Sequence, residues 1–118
     1  MPAHVVSPGY VIVSTFGEEA LDAWIAGHDF AKFTPQTITT AEDFRAAVLK
    51  VREQGYMLVN QYIDAGLCGI AVPLVDRKGA PLGALSTTFQ VQAWPGDSAL
   101  AKLLPALQEA AQAIRAVV

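Results

Sequence analysis

The stretch from Gly55 to Phe89, GYMLVNQYIDAGLCGIAVPLVDRKGAPLGALSTTF, constrains the fold of this chain more than any other. Its apolar runs are interrupted by a glycine-containing corner at Asp64-Ala65-Gly66 and by a tight turn at Asp76-Arg77-Lys78-Gly79. That punctuation predicts three short strands, roughly 56–62, 68–75 and 81–89, paired in an antiparallel sheet. The polar residues of the stretch are few, and none is an obvious nucleophile, metal ligand or phosphate cradle.

The second turn sets the register of the last two strands to within a residue or two. If Val75 pairs with Ala80, then Ala71 faces Ala84 and Gly69 faces Ser86. Strand residues two apart share a face. Gly69, Ala71, Ala84, Ser86 and Thr88 then form one small-residue face, with Ile70, Val72, Leu85 and Phe89 on the other. A face of Gly, Ala, Ser and Thr leaves a hollow, and the hydroxyls of Ser86 and Thr88 offer directional donors and acceptors to a small molecule. The same pattern also suits a solvated sheet face. Pro73 cannot donate to the ladder and implies an edge or a bulge.

Helices surround this sheet. Ala20, Leu21, Trp24 and Ile25 recur at helical spacing within 18–26, and Gly27 stops the run. Residues 30–39 read as a loop around Thr34-Pro35, with Phe33 and Ile38 as anchors into the core. Thr40 is a candidate cap for a helix whose Phe44, Ala47, Val48 and Val51 make one apolar stripe, and Gly55 ends it. Trp94-Pro95-Gly96 breaks the pattern before a last helix from Asp97 or Ser98, in which Leu100, Leu103, Leu104, Leu107, Ala111, Ile114 and Val118 keep the helical period. Pro105 is expected to kink that helix or mark where it restarts. Local propensity is divided over residues 1–16, where β-branched residues mix with Pro8 and Gly9. The predicted class is α+β, with helices packed on an antiparallel sheet.

Composition narrows what such a domain can do. At 118 residues and 53% hydrophobic the chain is one globular domain. Its net charge is −3, with Lys and Arg scattered, so the basic footprint of a DNA-binding surface is missing. No apolar run approaches the ~18–20 residues of a membrane span. The single Cys68 excludes an internal disulfide and agrees with a reducing cytoplasm. His4 and His28 have no Cys or acidic partner at ligand spacing, so neither a metal nor a cofactor is expected. Cys68 reads as a small core residue rather than a nucleophile, and the acids Glu18, Glu19, Asp22, Glu42 and Asp43 sit in first helical turns without a catalytic role. The chain does not read as an enzyme. Ser7-Pro8-Gly9, before a helical turn, is a second candidate binding element through its backbone N–H groups, although an ordinary turn explains it as well.

Several segments, in order, carry a family resemblance: PAHVVSPG at 2–9, EEALDAWI at 18–25, FTPQTIT at 33–39, VREQGYMLVNQYIDAGLCGIAVPLVDRKGAPLGALSTT at 51–88 and LLPALQEAAQAI at 103–114. Together they resemble the effector-binding domain of IclR-type bacterial transcription factors. The resemblance implies a cytoplasmic regulator with a GAF-like or profilin-like curved sheet, whose effector is a small carboxylate or oxo acid. It implies self-association as a dimer or tetramer, and DNA contact through a separate winged helix-turn-helix rather than through this chain. Carried over by position, the effector-binding residues are Ser7, Pro8, Val59, Gly69, Ser86 and Thr88, with Met1 and Leu67 as apolar wall. The register argument reaches Gly69, Ser86 and Thr88 independently.

Departures from the family pattern accompany the match. Tyr10 stands where a cation is common, Cys68 replaces the Arg of a Gly-Leu-Arg triplet, Val59 stands where some members have an acid, and Asn60 stands where many have Asp. Their combined effect is expected to be a more apolar effector or a pocket that no longer works. The match covers only the later portion of a complete regulator, without the DNA-binding domain and the first strands of the sensor. The alternative reading is therefore a truncated dimerisation or interaction module without a working pocket, its open sheet edge covered by association.

Overall fold

The computed structural model describes residues 2–94 and 97–118. Its strands β1 (Met57–Asn60), β2 (Leu67–Val75) and β3 (Pro81–Gln90) form an antiparallel sheet in the order β1-β2-β3. Around it lie α1 (Ser7–Val13), α2 (Glu18–Ala26), α3 (Ala41–Gln54) and α4 (Ser98–Arg115), with short 3-10 turns at Ala3–Val5 and Val91–Ala93. The α+β class and all three strands agree with the sequence reading, with boundaries moved by a residue or two.

The sheet's two faces take different helices. On one face lie Met57, Val59, Gly69, Ala71, Ser86 and Thr88, because Met57 pairs with Ala71, Val59 with Gly69, Gly69 with Thr88 and Ala71 with Ser86. Helix α1 packs here, and behind it α2 and α3 close a core of Tyr10, Val11, Leu21, Phe44, Val48, Met57, Val59 and Ala71. The other face, with Leu58, Cys68, Ile70, Val72 and Phe89, is crossed by α4. Arg115 at the end of α4 donates to Asp76 O at 3.0 Å, which ties the helix to the β2–β3 turn.

The expected register is displaced by two residues, for two local reasons. The turn closes as Asp76 N–H donates to Ala80 O, so Val75 pairs with Pro81 rather than Ala80. A bulge between Leu74 and Val75 then places Gly83 opposite Leu74 and leaves Leu82 out of the pairing. Side chains alternate with a period of two, so a shift of two keeps every residue on its predicted face. The bulge lies beside Pro73, where an irregularity was expected.

Elsewhere the structure decides two open readings and corrects one expectation. The segment at 7–13 is a helix: Pro8 occupies its first turn, where a fixed φ fits and the missing N–H costs nothing, and burial of Tyr10, Val11 and Val13 outweighs their β-branched or aromatic propensity. Phe33 does not anchor its loop, being 47% exposed, although Ile38 does pack against the core. The loop is held instead by Thr34 and Thr37, buried because their hydroxyls satisfy backbone groups. Of the two alternatives for Pro105, a restart is excluded, because the residue lies inside a continuous α4. Of the predicted break at Trp94-Pro95-Gly96, Trp94 closes the second 3-10 turn, while Pro95 and Gly96 lie outside the described residues. Helix α3 is bounded as read: Thr40 Oγ1 accepts from Asp43 N at 3.1 Å, and Gly55 ends it at φ +82°.

Candidate functional site

Against the small-residue face of the sheet the fold leaves a cavity of about 180 Å³. The small residues are what admit it. A Cβ on Gly69 would lie 3.0 Å from Ser7 Oγ, so the absence of a side chain at position 69 lets the first turn of α1 sit close to the sheet without displacing the Ser7 hydroxyl. Ser7 and Pro8 form one wall with Val5 and Val6, and Ile63 from the β1–β2 connection and Leu67 at the start of β2 form another. Val59, Gly69, Ser86 and Thr88 make the floor.

The structure thus brings Ser7, Pro8, Val59, Leu67, Gly69, Ser86 and Thr88 together around one cavity. Met1 lies outside the described residues. Sequence reasoning missed Val5, Val6 and Ile63. Val5 and Val6 flank the Ser7-Pro8-Gly9 element directly, and a helix starting at Ser7 would have signalled them. Ile63 lies in a connection with no periodicity to place it.

Electrostatically the site is neutral. No Lys, Arg, His, Asp or Glu lines it, and among the described residues the hydroxyls of Ser7, Ser86 and Thr88 have no hydrogen-bond partner. Ser7 is only 3% exposed, whereas Ser86 and Thr88 are open on β3. Three uncommitted hydroxyls on an apolar lining can orient a small ligand through hydrogen bonds. An apolar cavity of about 150 Å³ admits benzene, so the space here suits a single ring or a compact acid.

Of the four family departures, three fall outside this lining or face away from it. Tyr10 is fully buried and donates its hydroxyl to His4 O at 2.7 Å; burial pushes its phenol well above the usual range, and Tyr62 adds to the effect. Asn60 is exposed and does not line the cavity. Cys68 borders it, but belongs to the α4 face of β2, where its thiol donates to Asn60 Oδ1 at 3.4 Å. Burial raises the Cys68 thiol against a smaller opposing pull from the Gln61 backbone, which favours its protonated form. Of the departures only Val59 contributes its side chain to the cavity, as part of an apolar floor.

Behind the Val5–Pro8 wall, His4 is fully buried. Its Nε2–H donates to Ala31 O at 2.8 Å, so neutral His4 offers Nδ1 as an acceptor, 2.7 Å from His28 Nε2. His28 stacks on Trp24 at 4.3 Å. Burial, then the neighbouring His4, lower the His28 pKa against an opposing pull from Asp29. A histidine whose folded pKa is depressed binds protons more readily unfolded, so its stabilisation is complete above the unfolded value of about 6.5 and is lost as pH falls below it. Thermal melts should therefore fall with pH from about 6.5 downward, and His28→Gln should flatten that dependence. A wild-type curve that is level through this window would contradict the pairing.

A concave, neutral, mostly apolar site on an α+β scaffold has the geometry of a small-molecule site. Residues 1–116 match the family model for the C-terminal domain of IclR bacterial transcriptional regulators, and the chain belongs to that family, which consists of regulators and not of enzymes. It is 31% identical over 114 residues to the HTH-type transcriptional regulator XynR of Escherichia coli, covering 97% of this chain and 45% of the relative. It is 30% identical over 118 residues to the p-hydroxybenzoate hydroxylase transcriptional activator of Acinetobacter baylyi, covering 100% of this chain and 44% of that one. The chain spans about half the length of these relatives. Among solved structures, it superposes on a double mutant of the inducer-binding domain of PobR from Acinetobacter, in complex with 3-hydroxybenzoic acid, with a TM-score of 0.94 and 30% identity. That match covers all of this chain and 67% of the other. The C-terminal domain of Escherichia coli KdgR gives a TM-score of 0.87 at 30% identity, covering 98% of this chain and 70% of that one. Among the described residues, no helix is long and apolar enough to cross a membrane.

Proposed function

We propose that this domain binds a small organic acid, aromatic or oxo, in the cavity between α1 and the sheet, and that occupancy alters how an oligomeric regulator engages DNA. The observation that carries the reading is the set of uncommitted hydroxyls of Ser7, Ser86 and Thr88 around an apolar space of about 180 Å³. With no cation in the lining, the carboxylate is held by hydroxyls and backbone N–H groups, and the apolar walls select the remainder. A related inducer-binding domain has been captured with 3-hydroxybenzoic acid, which gives the first compound to try. Contact with DNA belongs, in this reading, to a winged helix-turn-helix outside residues 1–118, acting in the cytoplasm, and the effector works by differential affinity for two arrangements of the assembly.

Thermal unfolding against a panel of hydroxybenzoates and short oxo acids tests this. A ligand that binds only the folded state stabilises it by RT ln(1 + [L]/Kd), about 2.7 kcal/mol at a hundredfold excess over Kd. Ser86→Ala should weaken binding by about 0.5–1.5 kcal/mol if the lost bond is neutral and by about 1.5–3 kcal/mol if it meets a carboxylate. A saturable response that is indifferent to Ser86 would move the site elsewhere.

A second reading, an association module without a working pocket, draws on β3. That strand forms an edge of the described sheet, and from Pro81 to Gln90 it carries no charged residue to discourage pairing. Under that reading the chain is a dimer or larger by sedimentation, and no acid shifts its melt. A monomer with a ligand-responsive melt excludes it.

A further inference from the structure

No residue of the 28–37 segment lines the cavity, yet the segment hydrogen-bonds to the supports of two of its walls. At one end, Ala31 O accepts from His4 and His28 pairs with the other nitrogen of the same ring. His4 lies immediately before Val5, Val6, Ser7 and Pro8, the α1 wall, and its own carbonyl is held by Tyr10. At the other end, Thr34 Oγ1 donates to Gln61 O and Thr37 Oγ1 donates to Tyr62 O, each at 2.5 Å. Gln61 and Tyr62 immediately precede Ile63 in the connection that leads to Leu67, and these two form the opposite wall.

Neither attachment is a casual surface contact. His4 is fully buried, and Thr34 and Thr37 are each 7% exposed. The two hydroxyls are also fixed from behind: Thr37 Oγ1 accepts from Phe33 N and Thr34 N, and Thr34 Oγ1 accepts from Gln36 N. The connection they hold needs holding. Gln61 sits at φ +63°, a backbone region that residues other than glycine seldom adopt. Its side chain works locally to the same end, accepting from Gly66 N at 2.8 Å. At the first end Phe30, between His28 and Ala31, packs against His4, His28 and Phe44, so that end is braced on the core, and only Lys32 and Phe33 separate it from Thr34.

We infer that residues 28–37 form a strap that sets the separation of the two cavity walls, with His4, Thr34 and Thr37 as positioning residues for the ligand. The inference rests on the cavity being the effector site, as proposed above, for its functional meaning. The mechanical coupling of the walls stands without it. A strap of this kind makes ligand size selection depend on residues that never touch the ligand. Loosening either end frees the wall at the other.

The test is amide hydrogen exchange on the ligand-free 118-residue chain, comparing wild type with Thr37→Val and Thr37→Ser. Thr37→Val keeps the shape and removes the hydroxyl, so amides of 61–67 should exchange faster. The strap predicts in addition that amides of 4–10, beyond the cavity, exchange faster by about threefold or more, since local opening there is governed by its own contacts. Thr37→Ser should restore both. Acceleration confined to 61–67 would overturn the strap and leave Thr37 as a local pin. Should Thr37→Val fail to fold, His4→Phe keeps a ring in place and removes both hydrogen bonds of the opposite end, and the expected result is then acceleration at 61–67; none there overturns the inference equally. With 3-hydroxybenzoate as probe, Thr37→Val should lose affinity that Thr37→Ser retains. Failure of that compound to bind the wild type would count against the aromatic-acid reading and leave the exchange result to judge the strap alone.

Discussion

Gly9→Ala is expected to destabilise the domain by about 3 kcal/mol or more, lowering its melting temperature by on the order of 10 °C. A Cβ at position 9 would stand 2.1 Å from Ala3 O and 2.7 Å from both the carbonyl carbon and the Cα of Ala3. All three are backbone atoms, so no rotamer change relieves the overlap. Either α1 withdraws from the 3-10 turn at Ala3–Val5 or that turn shifts. Both movements displace Val5, Val6, Ser7 and Pro8 and disturb the hydrogen bond from Tyr10 to His4 O. Gly17→Ala is the matched control, because nothing lies within 4 Å of the Cβ it would add. Equal melts for the two variants would mean that the turn and α1 do not meet as described.

That contact illustrates what the sequence alone could and could not show. The sheet was legible because strand alternation and two glycine corners are local signals, and the two-residue register error did no harm because it preserved side-chain parity. The floor of the cavity follows from parity, which is why Gly69, Ser86 and Thr88 are legible in the sequence alone. The first helix was not legible. Val11, Ile12 and Val13 favour extended backbone, and only burial against a sheet formed some fifty residues later makes 7–13 helical. The roles of His4, Thr34 and Thr37 were hidden for a related reason. Their partners, Ala31, His28, Gln61 and Tyr62, lie more than twenty residues away, and no periodicity links them. Phe33, by contrast, reads as an anchor on hydrophobicity alone, whereas its ring is exposed and two hydroxyls with backbone partners hold the loop.

The largest single loss from a side-chain truncation is expected at Phe44→Ala, about 3–5 kcal/mol, a large share of the ~5–15 kcal/mol typical of a domain. Phe44 is fully buried at the meeting point of α1, α2, α3 and the 28–37 segment. Its ring centroid lies 4.9 Å from that of Tyr10, 5.0 Å from Trp24 in a stacked arrangement and 5.3 Å from Phe30. Truncation removes contacts to three rings at once, and aromatic pairs of this kind contribute roughly 0.5–1.5 kcal/mol each beyond the area they bury. Trp24 and Phe30 cannot close the gap freely, because Trp24 is stacked on His28 and Phe30 packs edge-on to both histidines. Phe44→Leu keeps most of the volume and should lose markedly less. Denaturant unfolding followed through Trp24 reads the change directly, with Trp94→Phe as background so that one indole reports. A cost below about 1.5 kcal/mol, the range for swaps that a core absorbs by repacking, would show that these rings pack loosely. The brace behind the 28–37 segment would then be too soft to hold the cavity walls apart.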